Sequence, residues 1–139
     1  MKNYTLIDHT ADFGIQIKGK DYKELFTRAA VAMFDVVAQI GHKIKPSEKK
    51  EIRVELEAEN ADDLLLCWLS ELISISDAKN LIFKDFKILK LTEKSLSAKA
   101  SGAQRKHFII EREIKAVTYH RLKIKREGRQ YKVEIIFDV

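Results

Sequence analysis

One cysteine in 139 residues excludes a disulfide framework and any zinc cluster built on thiolates. That cysteine, Cys67, lies in the apolar run Leu64-Leu65-Leu66-Cys67-Trp68-Leu69. A buried, inert thiol is expected there rather than a nucleophile. Five scattered glycines supply no glycine-rich phosphate loop, and no GxSxG elbow is present. No stretch of eighteen apolar residues exists, which argues against a helical membrane span. The opening Met1-Lys2-Asn3-Tyr4 lacks the apolar core of a signal peptide. A reducing cytoplasm is therefore the expected compartment. Internal repeats and low-complexity tracts are also missing, and the only proline, Pro46, falls in the clearest loop segment, Gly41 to Lys50. That loop is too short for a domain linker, so residues 1–139 read as a single domain.

What is present is the composition of an ordinary globular protein, with 45% apolar and 34% charged residues. A chain of this length can bury one core without staples. The formal net charge of +5 tolerates an acidic or nucleic-acid partner without demanding one. A lysine-rich solvated surface is the simpler reading, and an RNA-binding patch is the alternative.

Two amphipathic helices stand out. From Asp21 to Ala38, apolar residues recur with 3,4 spacing at Tyr22, Leu25, Phe26, Ala29, Ala30, Met33, Phe34 and Val37. Asp21 can cap this helix, and Glu24 completes a capping-box pattern. A second helix is expected from about Ala61 to Ile75, capped by Asn60, with Asp62 and Asp63 favoured in its first turn by the helix dipole. Leu64, Leu65, Trp68, Leu69 and Leu72 form its buried face. Elsewhere apolar residues alternate, as in Phe13, Ile15 and Ile17, in Ile52, Val54 and Leu56, and in Leu96, Ala98 and Ala100. This is the pattern of strands with one wet face. Phe83 to Leu91 is apolar without clean parity, which predicts a bulge or a two-sided strand. Ile114 to Ile124 alternates throughout and reads as one strand. A turn at Glu127-Gly128 leads to a last strand with Tyr131, Val133, Ile135 and Phe137 on one face. The expected fold class is α+β, a mostly antiparallel sheet with two main helices packed on it.

Three segments could carry chemistry. Asp8-His9-Thr10-Ala11-Asp12 gathers three metal-capable groups, though Asp8, Thr10 and Asp12 could equally hydrogen-bond a turn. In Phe137-Asp138-Val139, the Asp138 carboxylate lies beside the main-chain carboxylate of Val139. Two such anions repel unless a cation intervenes. A frayed end is the bland reading, but a well-patterned strand runs almost to Val139, which favours a terminus that is tied down. In Lys115-Ala116-Val117-Thr118-Tyr119-His120, His120 reads first as a satisfied interior histidine. Asp62-Asp63 reads as capping, and His42 and His107 have no visible partners. None of this amounts to an enzyme active site.

Taken together, His9-Thr10-Ala11-Asp12 with Phe26-x-x-Ala29-Ala30-x-Ala32-Met33-Phe34, Asp63-Leu64-Leu65 through Trp68-Leu69-x-Glu71-Leu72, and Lys115-Ala116-Val117-Thr118-Tyr119-His120 with Phe137-Asp138-Val139 resemble the archease family. The match spans nearly the whole chain. The resemblance implies a non-enzymatic activator of the GTP- and manganese-dependent tRNA-splicing RNA ligase, one that promotes ligase guanylylation and multiple turnover. It also implies a divalent metal held by Asp12, Asp138 and Val139. Calcium is the first expectation, with zinc, magnesium or manganese as alternatives. Gln130-Tyr131-Lys132 and Gln104-Arg105-Lys106 depart from the family pattern, which touches details of partner contact. Beside the ligase, indirect or weak tRNA contact is possible; the competing readings are a direct tRNA-binding module or chaperone for RNA-modifying enzymes, and a metal hydrolase using Asp12, Asp138 and His9.

Overall fold

The computed structural model describes residues 3–8, 12–119 and 122–139, and the side chains of Asp8 and Asp12 lie outside that description. Both predicted helices form. Helix α1 spans Tyr22–Val37. The Asp21 carboxylate accepts the amide of Glu24 at 2.8 Å. Glu24 reaches back one residue further than a capping box requires, accepting the amide of Lys20 at 3.1 Å. Helix α2 spans Ala61–Lys79, with the Asn60 side chain accepting the Asp63 amide at 2.9 Å. It runs past the predicted Ile75 because Ser76 occupies a buried position and donates its hydroxyl to the Leu81 carbonyl. Asn80 then ends the helix in the left-handed region at φ 58.

The strands divide into two sheets and a small ribbon, and all of their pairings are antiparallel among the described residues. The first sheet joins β1 (Tyr4–Asp8), β2 (Asp12–Gly19) and β10 (Gln130–Asp138). Two short strands, β8 (Ala116–Val117) and β9 (Lys125–Glu127), pair with opposite ends of β10. The second sheet has the order β4 (Lys50–Glu57), β6 (Ser95–Gln104), β5 (Leu81–Leu91). The ribbon pairs β3 (Ala38–Ile40) with β7 (Phe108–Ile110). Helix α1 packs on β2 and β5, and α2 lies against α1, β4, β5 and β8. The apolar faces of both helices and both sheets merge into one core, with Phe26, Trp68, Phe83 and Phe137 among its largest fully enclosed side chains.

Three expectations need correction. Ile114 to Ile124 is not one strand. Ile114 and Val117 are both buried although they have opposite parity. The chain leaves the ladder after Val117, the Leu122 amide bonds to the Tyr119 carbonyl at 3.2 Å, and pairing resumes at Lys125. The Ile124 amide bonds instead to the Asp62 carboxylate at 2.8 Å. Asp62 thus ties this excursion to α2 rather than only facing the helix dipole. Cys67 is half-buried, not buried. His107 is buried and bonds through Nε2 to Glu48 at 3.0 Å, so it does have a partner. His120 and Arg121 lie outside the described residues.

The irregular strand β5 has the predicted bulges, between Phe83 and Asp85 and between Ile88 and Lys90. The first has a structural purpose. It takes Lys84 out of the ladder, and the ammonium reaches the end of α1, donating to the carbonyls of Ala38 at 2.6 Å and Phe34 at 3.3 Å. Asp35 lies 3.4 Å away. The Phe34 carbonyl already accepts the Ala38 amide, so the ammonium is a second donor to it, and a cation at a helix C-terminus is favourable on both hydrogen-bonding and dipole grounds. Lys84→Met keeps the stem and removes the charge. It is expected to lower stability by about 1.5–3 kcal/mol, the usual worth of hydrogen bonds to a charged group. Chemical denaturation checks this through a lower midpoint with an unchanged m-value.

Candidate functional site

Strand β10 brings the two ends of the predicted site together. Its register along β2 pairs Tyr131 with Gly19 at one end and Asp138 with Asp12 at the other. On its other side Asp138 pairs with Ala116. The row Asp12, Asp138, Ala116 therefore crosses three adjacent strands. The alternation of β10 explains why Asp138 is available. Val133, Ile135 and Phe137 are buried on the core side, and Asp138, next in line, is exposed. Ile136 is buried as well, although it shares the parity of Asp138. The end of β10 is thus anchored on both faces just before the acidic position.

The backbone is secured too. The Lys115 amide donates to the Asp138 carbonyl at 2.7 Å, and the Thr118 amide to that of Ile136 at 2.9 Å. The segment ending at Asp138 is therefore tied down rather than frayed. Val139 is more than a third exposed. Close to this edge, the Arg112 guanidinium stacks over the Phe13 ring at 4.2 Å. Phe13 is the neighbour of Asp12 and the register partner of Phe137. Thr118 contributes a buried hydroxyl that has no hydrogen-bond partner among the described residues.

Asp12 and Asp138 are thus opposed in the ladder, a relation that spacing in the sequence could not reveal. His9 and Thr10 of the N-terminal motif lie outside the described residues, so the structure adds nothing about a part for either. Sequence reasoning missed Arg112 and could not tell that the Thr118 hydroxyl lacks a partner among the described residues. Thr118 stood in a singled-out motif, and its signal was a hydroxyl among residues expected to be apolar. Arg112 gave none, since an exposed arginine in a charged stretch is ordinary. Among the described residues, no helix is long and apolar enough to cross a membrane.

Residues 4–139 match the model of the archease protein family. The chain is 42% identical over 138 residues to protein archease of Pyrococcus abyssi, covering 93% of this chain and 94% of that one. It is 36% identical over 144 residues to protein archease of Methanothermobacter thermautotrophicus, with both chains fully covered. The solution structure of a Methanobacterium thermoautotrophicum protein superposes with a TM-score of 0.75 at 29% identity over the whole of both chains. The crystal structure of an archease, possible chaperone, from Thermotoga maritima shares the fold with a TM-score of 0.67 at 24% identity, over 96% of this chain and 94% of that one. The chain belongs to the archease family.

Proposed function

We propose that this protein is a non-enzymatic activator of the GTP-dependent tRNA-splicing RNA ligase, promoting ligase guanylylation and multiple turnover. It would act through a divalent cation held by Asp12, Asp138 and the terminal carboxylate of Val139. Family membership supports the partner. The observation that carries the site is the opposition of Asp12 and Asp138 across β2 and β10. Directly opposed positions of an antiparallel pair hold their Cβ atoms about 4.5–5.5 Å apart. An all-oxygen donor set suits a hard cation, so calcium is the first choice and magnesium the second. A contribution from His9 would bring zinc or manganese into range.

The chain's own residues supply position. Phe137 and Ile136 pin the strand, and the Lys115 and Thr118 amides hold its outer edge. Both positions lie in a strand ladder rather than a loop. The cation, when bound, supplies positive charge that can pair with nucleotide phosphates. The deciding experiment measures ligase guanylylation and tRNA ligation with this protein at substoichiometric amounts. The expected result is faster guanylylation, with each ligase sealing many substrates. An unchanged rate across a range of protein and divalent-ion concentrations counts against the reading.

A further inference from the structure

The charge of this chain is unevenly distributed. Residues 115–132 contain seven lysines and arginines against one glutamate, a net of +6 in a chain whose total is +5. The rest of the molecule is therefore close to neutral. The described residues of this span form β8, the segment 122–124 off the ladder, and the β9–β10 hairpin, which turns at Gly128 with φ 63. Lys115, Lys123, Lys125, Arg126 and Arg129 are all exposed. Among the described residues, Lys115, Lys123, Lys125 and Arg129 have no carboxylate partner. Where the edge strand leaves β10, a groove of about 440 Å³ opens between Lys123 and Lys125 on one side and Lys132 to Glu134 on the other. Its lining stays net positive, with Lys123, Lys125 and Lys132 against Glu127 and Glu134. Glu127 is already neutralised by Lys132 at 3.2 Å and Lys18 at 3.6 Å. The Lys132 hydrogen bond also holds its carboxyl below the usual range. Glu134 is half-buried.

We propose that this hairpin and residues 122–124 leading into it form a binding surface for the phosphate backbone of RNA, with Lys123, Lys125 and Arg129 as its principal contacts. Unpaired cations along an extended edge match a line of phosphates. An aromatic favours nucleic acid over other polyanions. Tyr119, in the same span, is 79% exposed and offers a face on which an unpaired base can stack. Lys125 and Arg126 lie on β9, Lys123 in the segment leading into it and Arg129 in the turn after it, and the span presents no amphipathic helix of the kind that seats on a lipid surface among the described residues. The β9–β10 hairpin sits at the opposite end of β10 from Asp138, and the proposal does not depend on ligase activation.

The test uses the full chain without ligase, and a fluorescein-labelled single-stranded RNA of about 20 nucleotides, long enough to span more than one single-strand site, read by anisotropy across a salt series. Wild type is expected to bind with a steep salt dependence. The double variant Lys123→Gln, Lys125→Gln is expected to bind at least about tenfold more weakly at low salt, and its log–log salt slope should be flatter by roughly 1.4, at about 0.7 for each phosphate of a single strand that is no longer neutralised. Tyr119→Ala should weaken binding at least about threefold, the low end for removing a stacking platform. The control Lys87→Gln, Lys90→Gln removes two exposed charges from β5 and should change affinity by less than about twofold. Equal weakening in the two double variants would show diffuse attraction and overturn the proposal. So would absence of RNA binding at low salt, or tighter binding to phosphatidylserine vesicles than to RNA.

Discussion

Trp68→Ala is expected to cost about 3–5 kcal/mol of folding stability, the range for emptying a buried aromatic site. Trp68 is fully buried on α2 and meets the Phe86 ring of β5 edge-on, with ring centroids 6.0 Å apart. Its Nε1 donates to the Phe26 carbonyl of α1 at 3.0 Å. One side chain therefore joins both helices and the second sheet. Most of the cost comes from the cavity, because close-packed neighbours on three elements relax only partly. The hydrogen bond is the smaller share, since the i→i+4 ladder of α1 still engages the Phe26 carbonyl. Trp68→Phe separates the two contributions. It keeps much of the volume, removes the donor, and should cost about 1–2 kcal/mol, near the net worth of a hydrogen bond plus a small void. Urea denaturation of both variants checks the order. An unchanged midpoint for Trp68→Ala would contradict the packing described here.

Asp12→Ala and Asp138→Ala are each expected to return ligase guanylylation to the rate of ligase alone, while the fold persists. Removing a directly coordinating carboxylate should weaken metal binding by more than the roughly 10–100-fold typical of outer-shell partners. Stability of the metal-free protein should move little. Asp138 is exposed and its backbone stays in the ladder, so about 0.5 kcal/mol is the scale for Asp138→Ala. Asp138→Asn provides a sharper contrast. It preserves shape and removes charge, so a site that works by charge loses activation with this variant too. Guanylylation rate, calcium affinity by calorimetry and thermal melting should be read on the same preparations. Full activation by Asp12→Ala or Asp138→Ala despite abolished metal binding would sink the mechanism. Abolished activation with metal affinity intact would move the role of these residues to direct partner contact.

The elements that could be read from the sequence were those whose signals are local. The 3,4 stripes and the caps at Asp21 and Asn60 located both helices, because cap chemistry acts within a few residues. Period-two alternation located β2, β4 and β6 and the core face of β10. Misreadings arose where a distant group decided the outcome. The stripe of α2 seemed to stop at Ile75, because a buried serine bonding to Leu81 looks polar in the sequence. Alternation from Ile114 to Ile124 mimicked a strand, but the Asp62 carboxylate, sixty-two residues away, takes the Ile124 amide. Nothing local to Lys84 marks its role, which exists only because the end of α1 lies over it. In the candidate site, each acidic cluster was visible on its own. Their meeting is a matter of register between β2 and β10, and register is not written locally.

That register also governs the order in which the molecule can be completed. Partners between β2 and β10 are 112 to 126 residues apart, from the Tyr131–Gly19 pair to the Asp138–Asp12 pair. During synthesis β2 exists early, paired only to β1, with its other edge bare until residues 130–138 arrive. An unpaired edge is a template for the wrong partner. Closure over so long a loop also slows folding. The strand that delivers Asp138 is thus the one that closes the first sheet, so a chain carrying the completed acidic pair has already covered the bare edge of β2. Molecules cut short before Gln130 would lack both, and a cell could recognise them by their stickiness before their inactivity mattered.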